Sequence, residues 1–161
     1  MATGNFERMI QLAEEVFAVK KDPDQLDVNQ QVMERLQRLH PSTHSEYADV
    51  NGPAAWILMI PTTTELMNQF LENKISEKEL FELTPENIHY EALYLCSAMV
   101  LEEYRRKGIA KRLILEAIEN IRKDHPLKSL FIWPFTKEGE LASESIARLT
   151  LLPLHKRSDH K

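Results

Sequence analysis

The chain has 161 residues, of which 43% are hydrophobic and 28% charged, and its formal net charge at pH 7 is −5. This length suits one domain with one hydrophobic core, which we expect to comprise residues 1–161. The negative charge argues against broad nucleic-acid binding. No apolar run approaches the ~20 residues that a membrane-spanning helix needs, so no membrane partner is expected.

The N-terminal stretch MATGNFERMIQLAEE lacks the basic segment and apolar run of a secretory signal. The single cysteine, Cys96, cannot form a disulfide within the chain, which agrees with a reducing compartment. Both observations favour a cytoplasmic protein. The histidines include no HExxH motif, and one cysteine excludes a multi-cysteine zinc site, so the sequence predicts no metal centre.

Two helices are predicted near the N-terminus. Apolar residues recur at helical spacing over residues 6–20 and again over residues 28–39. Asp27 followed by Gln30 predicts a capping box for the second helix, and His40-Pro41 predicts its end.

The next part of the chain combines strand and short-helix patterns. The polar stretch STHSEYADVNG predicts either a loop or a short edge strand. The continuous apolar run AAWILMI, residues 54–60, predicts a buried strand. Two capping boxes, Thr62 with Glu65 and Ser76 with Glu79, each precede an apolar cluster and predict two short helices.

A strand–helix–strand pattern follows. Aliphatic and aromatic residues predict a long strand over residues 88–100. Apolar residues at helical spacing over residues 110–121 predict the clearest helix of the chain. SLFIW, residues 129–133, predicts another buried strand, and residues 137–150 predict a further helix. The order over residues 88–133 is typical of a βαβ unit in an α/β or α+β domain.

The start of the predicted helix at residue 110 carries charge of an unfavourable sign. In VLEEYRRKGIAKRLI, Arg105, Arg106 and Lys107 stand directly before Gly108. A helix N-terminus has unpaired N–H groups and about half a positive charge, so each exposed cation there costs ~0.3–1 kcal/mol. A bound phosphate would offset this cost, because its oxygens accept those N–H groups and neutralise the cations. Gly108 would let the backbone approach such a ligand closely.

The same stretch resembles a known family. Arg105, Gly108 and Ala110 in YRRKGIA, between an apolar strand and an amphipathic helix, resemble the acyl-CoA signature of the GNAT acetyltransferase superfamily, here at residues 100–111. The resemblance is firm over residues 94–123. Three further residues fit the family's usual run around this motif, namely Val100, Tyr104 and Ile109.

The resemblance implies the fold. We expect a small mixed, mostly antiparallel sheet flanked by helices, with a V-shaped splay between strands 88–100 and 129–133. The last predicted segment, LLPLH, contains Pro153 and permits at most an edge strand, so the family's final hairpin is abbreviated or missing. A second copy of the chain is one candidate to complete that edge as a homodimer.

The resemblance also implies acetyl-CoA as the acyl donor. The backbone of residues 106–111 would hold the pyrophosphate of coenzyme A, and main-chain groups of residues 98–100 would pair with the pantetheine arm. The predicted binding residues are Ala98, Met99, Val100, Arg105, Arg106, Lys107, Gly108, Ile109, Ala110 and Lys111.

The family's usual reaction is direct attack of a primary amine on the thioester, with transfer of the acetyl group. An amine with a pKa of ~10.4 must lose a proton first. The family often places a glutamate where this chain has Tyr94, which is predicted to orient a water. Glu91 is the nearest carboxylate, ~10 Å away along an extended strand, and would serve only if the strand bulges. No tyrosine follows Tyr104 to act as the acid.

Two alternatives stay open at the sequence level. The chain could be a non-catalytic acyl-CoA-binding or regulatory module, because the family's base and acid are missing. It could also be a helical interaction protein whose basic stretch is a solvated surface patch. Cys96 and Trp133 are predicted to be core residues, with Trp133 at the border of the pocket.

Overall fold

The computed structural model describes residues 4–20, 30–134 and 136–158. The helices in these segments are α1 (Asn5–Lys20), α2 (Gln30–Leu39), α3 (Thr64–Leu71), α4 (Glu77–Leu83), α5 (Ile109–Asp124) and α6 (Lys137–Thr150). The strands are β1 (His44–Asp49), β2 (Gly52–Thr62), β3 (Ala92–Val100), β4 (Ser129–Ile132) and β5 (Leu154–Lys156). Within the same segments, no helix combines the length and the apolar character needed to cross a membrane.

The strands form one open sheet in the order β1-β2-β3-β4-β5. β2 pairs antiparallel with β1 and β3 along most of its length, whereas the parallel pairs of β4 with β3 and β5 each cover three residues. The sheet is therefore mixed and mostly antiparallel, as predicted. β5 lies at the edge with three residues, and the abbreviated final hairpin and the homodimer both stay predictions.

The predicted splay is confirmed by the pairing of β3 with β4. The two strands are in register only from Ala92 opposite Ser129 to Tyr94 opposite Phe131. β3 then continues to Val100, whereas β4 ends at Ile132. Beyond Tyr94, β2 is therefore the only sheet partner of β3 among the described strands.

A bulge lies at the point of separation. Leu58 stands opposite Ser97 and Met59 opposite Leu95, so Cys96 is an extra residue in β3. A bulge bends its strand and increases the local twist. The bend falls directly after the last residue that pairs with β4, which turns the two strands apart.

Alternation of side chains along the strands gives the sheet two buried faces. The front face carries Leu58, Ile60 and Tyr94 and packs against α2, α3 and α4. The back face carries Ile57, Met59 and Leu93 and packs against α5 and α6. Helix α1 also lies on the front, where Met9 is buried against Ala54, Met99 and Leu101.

An aromatic cluster holds β3 and β4 together at their last pair. The rings of Tyr94 and Phe131 stack with centroids 5.0 Å apart, and Phe70 of α3 meets them edge-on at 5.1 and 5.8 Å. The Arg157 guanidinium covers the Phe70 ring at 4.4 Å and the Trp133 ring at 4.6 Å. Such aromatic pairs add about 0.5–1.5 kcal/mol each beyond their burial.

Two predicted details are corrected. The strand begins at Ala92 rather than at residue 88, because Tyr90 turns its N–H to His125 Nδ1 at 3.3 Å and its hydroxyl to the Pro85 carbonyl at 2.5 Å. The cap of α3 is Thr63, whose Oγ1 accepts the Leu66 N–H at 3.1 Å.

The residue predicted as that cap has another role. Thr62 ends β2, and its hydroxyl bonds the Thr84 hydroxyl at 2.7 Å. The capping box of Ser76 with Glu79 is confirmed, with both hydrogen bonds at 3.0 Å. Asp27, the predicted cap of α2, lies outside the described residues.

The end of α6 provides a stability test. Leu151 follows the helix with φ 60° and is 88% exposed. This left-handed conformation costs a non-glycine residue about 1–2 kcal/mol, whereas glycine adopts it freely but loses more entropy on folding. We expect Leu151→Gly to raise the free energy of unfolding by about 0.5–1 kcal/mol, measured by urea denaturation.

The matched control is Leu149→Gly, a leucine that is 58% exposed inside the same helix. There glycine should lower stability by about 1 kcal/mol. An equal loss in both variants would contradict the left-handed cap.

Candidate active site

A cavity of about 490 Å³ lies at the opening between β3 and β4. Ile57 and Leu95 line it from the back face, and Leu58 and Met99 line it from the front face. Because lining residues come from both faces, the cavity reaches both sides of the sheet. Its lining is mostly apolar, and the polar residues are Cys96, Ser97, Arg105, Thr136, Glu138, Glu140 and Ser143.

The basic turn, residues 105–108, connects this cavity to α5. Gly108 precedes the helix with φ 76°, and Arg106 also has a positive φ of 65°. The first helical bond runs from the Arg112 N–H to the Gly108 carbonyl at 3.0 Å, so the N–H groups of residues 109–111 come before it. The structure thus gives the basic turn the helix-start geometry that the sequence predicts.

The first turn of α5 differs in charge from the first turns of α3, α4 and α6 and resembles that of α2, which also has no acidic residue. Acidic residues occupy the first turn of α3, α4 and α6, where their negative charge interacts favourably with the positive end of the helix dipole. The first turn of α5 has none, and Gly108 offers no side-chain cap. The positive end of this helix is therefore balanced neither by its own first turn nor by a capping side chain.

Residues before the basic turn tie it to the N-terminal helix. Arg8 of α1 forms two hydrogen bonds with the Glu103 carboxylate, at 2.5 and 2.6 Å. This guanidinium lowers the pKa of Glu103 from 4.5 to about 2. The Tyr104 hydroxyl bonds Asp49 at the end of β1 and accepts from Asn5 at 3.4 Å. These contacts fix the approach of the chain to the turn.

The structure brings four of the predicted binding residues together at the cavity: Ala98, Met99, Val100 and Arg105. Arg105 links strand and turn, since its Nε donates to the Val100 carbonyl at 2.9 Å. That carbonyl therefore already has a protein partner. The remaining predicted residues, Arg106 to Lys111, follow directly as the turn and the first turn of α5.

The reason for glycine at position 108 is refined. A Cβ added to Gly108 would meet no described atom within 4 Å, so the protein itself leaves room for a side chain. The positive φ is what favours glycine here. If the backbone at Gly108 is approached closely, the approaching group is therefore a ligand and not another part of the protein.

The two predicted catalytic residues do not line the cavity. Tyr94 is buried on the front face, and its hydroxyl donates to Glu77 Oε2 at 2.6 Å. Burial and the Glu77 carboxylate raise the pKa of Tyr94 well above 10. Glu91 precedes β3 and pairs with Lys128 Nζ at 2.9 Å, which lowers the pKa of Glu91. Their roles in proton transfer stay predictions.

Sequence reasoning missed a buried carboxylate behind the cavity. Glu77 is 1% exposed, and its Oε2 lies 3.9 Å from Cys96 Sγ, which lines the cavity. Cys96 packs against the front-face core, and Trp133 is a core residue that borders the cavity, as predicted. In the sequence, Glu77 was visible only as an ordinary first-turn acid after the Ser76 cap. In the described residues, no group of three or more His, Cys, Asp or Glu side chains could hold a metal ion.

Comparison with known proteins places the chain in a family. The model of the acetyltransferase (GNAT) family matches residues 63–143, just over half of the chain. The protein therefore belongs to the GNAT acetyltransferase family. No curated protein sequence matches it.

One solved acetyltransferase structure shares the fold, and another is similar over most of the chain. The NatB acetyltransferase complex bound to a bisubstrate inhibitor is similar over 78% of this chain and 60% of that chain, with 17% identity and a TM-score of 0.50. The chain thus spans less than two thirds of that relative. An aminoglycoside acetyltransferase, meta-AAC0020 from an uncultured soil metagenomic sample, is similar over 89% of this chain and 77% of that chain, with 13% identity and a TM-score of 0.48.

The Arg8–Glu103 pair predicts a pH dependence of stability. Because the folded pKa of Glu103 is about 2 against 4.5 ordinarily, its contribution is present above pH 4.5 and is lost as pH falls towards 2. We expect Glu103→Gln to lose stability relative to wild type at pH 6 and to reach parity near pH 2, measured by urea denaturation. Salt should shrink the difference, since both side chains are partly exposed.

Arg8→Gln is the matched background. In that variant, adding Glu103→Gln should change the pH profile little, because the partner is gone. The pair would be refuted as the cause if Glu103→Gln had the same effect with and without Arg8.

Proposed function

We propose that this protein transfers an acetyl group from acetyl-CoA to a primary amine by direct attack of the amine on the thioester. One observation carries the proposal: the cavity at the opening between β3 and β4 adjoins a basic turn at a helix start. A polyanion on that turn places its attached chain at the mouth of the cavity. Acyl-CoA has this build, with phosphates at one end and a thioester at the other.

The phosphates bind at the basic turn. Arg106 and Lys107 are exposed and directly precede Gly108, and the N–H groups of residues 109–111 start the helix. A diphosphate accepts these N–H groups and neutralises the cations, while the helix dipole adds to the attraction. This binding offsets the unfavourable charge at the start of α5.

The pantetheine arm lies along the unpaired side of β3. Main-chain groups of Ala98 and Met99 form hydrogen bonds with the arm there, where β4 no longer pairs with β3. A backbone N–H next to the bulge polarises the thioester carbonyl as negative charge develops on its oxygen. Main-chain contacts of this kind depend on the strand path rather than on particular side chains.

Tyr94 acts in this proposal as a positioning residue. Burial and the Glu77 carboxylate raise its pKa, and its side chain does not line the cavity, so it does not meet the amine. It donates to Glu77, which in turn lies 3.9 Å from Cys96 Sγ at the cavity wall. Tyr94 therefore reaches the cavity wall only through Glu77 and Cys96. Glu91 receives no role here, because Lys128 and Thr64 engage it outside the cavity.

The second candidate function is a non-catalytic acyl-CoA-binding module. The placement of Tyr94 and Glu91 away from the cavity favours it. The other alternative, a helical interaction protein with a basic patch, is excluded by the five-stranded sheet and the family match.

Binding of acetyl-CoA is the first test. A ligand that binds only the native state adds ~2.7 kcal/mol of stability at 100 times its Kd, which raises the Tm of a domain of this size by roughly 5–10 °C. We expect such a shift for wild type with millimolar acetyl-CoA and none for Gly108→Trp. The absence of any thermal shift or heat with wild type would refute both acyl-CoA functions.

A matched lysine pair locates the phosphates. Lys107→Ala should weaken acetyl-CoA binding roughly 3- to 10-fold by calorimetry, because it removes a cation from the phosphate site. Lys123→Ala removes the same charge at the other end of α5 and should leave the Kd unchanged. Equal effects of the two substitutions would argue against phosphates on the basic turn.

Turnover separates the two candidate functions. Release of the coenzyme A thiol would be followed with spermidine, lysine amide, a peptide with a free N-terminus and an aminoglycoside. The transferase is expected to release thiol with at least one of these amines, and Gly108→Trp with none. Binding of acetyl-CoA without thiol release on any amine would favour the non-catalytic module.

A further inference from the structure

One hydroxyl at the cavity has no hydrogen-bond partner. Ser97 lines the cavity, and its Oγ is buried without a hydrogen bond to any residue in the described segments. Buried polar groups are nearly always paired, since an unpaired one lowers stability. A hydroxyl left in this state at a ligand cavity points to a bonding partner supplied by the ligand.

The other cavity hydroxyls are already engaged. Ser143 of α6 donates to the Gly139 carbonyl at 2.9 Å. Thr136 Oγ1 accepts the Gly139 N–H at 3.0 Å, as the cap of α6. Among the described residues that line the cavity, Ser97 is therefore the hydroxyl that makes no hydrogen bond to the protein. A serine hydroxyl can donate one hydrogen bond and accept others at the same time.

The position of Ser97 in β3 places it on the acceptor side of the opening. It stands opposite Leu58, directly after the extra residue Cys96, and so lies on the front face. Leu12 of α1 also lines the cavity from this side. The basic turn leads into α5, which packs on the back face. A donor held by that turn enters from the back, and the amine meets it from the front, beside Ser97.

We propose that the Ser97 hydroxyl relays the amine proton to the departing sulfur. This role rests on the proposed acetyl transfer. The amine arrives neutral, having given one proton to water. Its nitrogen lone pair forms the C–N bond to the thioester carbonyl carbon, and the C–S bond breaks with its electron pair on sulfur. Ser97 Oγ accepts the proton that leaves nitrogen while its own proton passes to sulfur.

The relay balances without another reactant. The products are the amide and the coenzyme A thiol, and the serine hydroxyl is restored. It also supplies the acid function for which the sequence offers no tyrosine after Tyr104. The hydroxyl of Ser143, which lines the cavity from α6, donates its proton to the Gly139 carbonyl. Ser97 is a catalytic residue in this scheme, because the relay requires its hydroxyl to contact both the amine nitrogen and the sulfur.

The test compares Ser97→Ala with Ser97→Thr, which keeps the hydroxyl and suits a strand. With the best amine of the panel, kcat of Ser97→Ala should fall roughly 100-fold, the usual size of a proton-transfer contribution. Its acetyl-CoA Kd should equal that of wild type, and its Tm should be equal or higher because an unpaired hydroxyl is removed. Ser97→Thr should recover most of kcat. Ser45→Ala, a serine change in β1 away from the cavity, should match wild type throughout.

The outcomes distinguish a failure of the Ser97 relay from a failure of the proposed acetyl transfer. No turnover by wild type with any amine would overturn the acetyl transfer and the relay together. Turnover by wild type with the same kcat in Ser97→Ala would overturn the relay alone. A lower Tm of Ser97→Ala with unchanged kcat would show that Ser97 is structural, which also overturns the relay.

Discussion

The stacked pair of Tyr94 and Phe131 is the contact on which the candidate site depends. The two residues form the last pair in the register of β3 with β4, and their ring centroids lie 5.0 Å apart. Phe70 seals the pair from α3, and Arg157 covers Phe70 from the C-terminal end. With the strands held there and the bulge at Cys96 just beyond, β3 can only diverge from β4. The divergence opens both faces of the sheet to one cavity.

The second constraint is electrostatic. α5 starts with a glycine cap and no acidic residue in its first turn, after two arginines and a lysine. The Arg8–Glu103 pair and the contacts of Tyr104 hold the preceding turn in place. Lys107 lies over the Tyr104 ring at 5.9 Å, and Glu103 offsets part of its charge. The unfavourable charge is thus built into an ordered part of the chain. In the proposed function, this charge destabilises the free protein, and bound phosphates remove the repulsion. The relief of repulsion contributes to the free energy of phosphate binding.

The sequence predicts local features well because they depend on residues only a few positions apart. Helical periodicity located α5 and α6, the Ser76–Glu79 box located α4, and the RRKG stretch located the basic turn. The cap of α3 was misplaced by one residue because Thr62, Thr63 and Thr64 are consecutive threonines, and only the ladder with β3 decides that the first belongs to β2.

Long-range contacts explain what sequence reasoning missed. The carboxylate of Glu77 meets Tyr94 seventeen positions away, and nothing near Ser76 signals this contact. The unpaired hydroxyl of Ser97 lies just after the bulge at Cys96 and beyond the last pair of β3 with β4, and neither the bulge nor the divergence has a local signature. Family resemblance predicted the splay, but the polar groups beside it follow from contacts between residues far apart in the sequence.

Backbone hydrogen exchange with and without coenzyme A tests the central claim, that the basic turn holds the phosphates of an acyl-CoA. Saturating coenzyme A should slow exchange of the amide hydrogens of residues 107–111, because phosphate oxygens accept them, and pantetheine without phosphates should not. Saturation by coenzyme A with unchanged exchange at residues 107–111 would contradict the account.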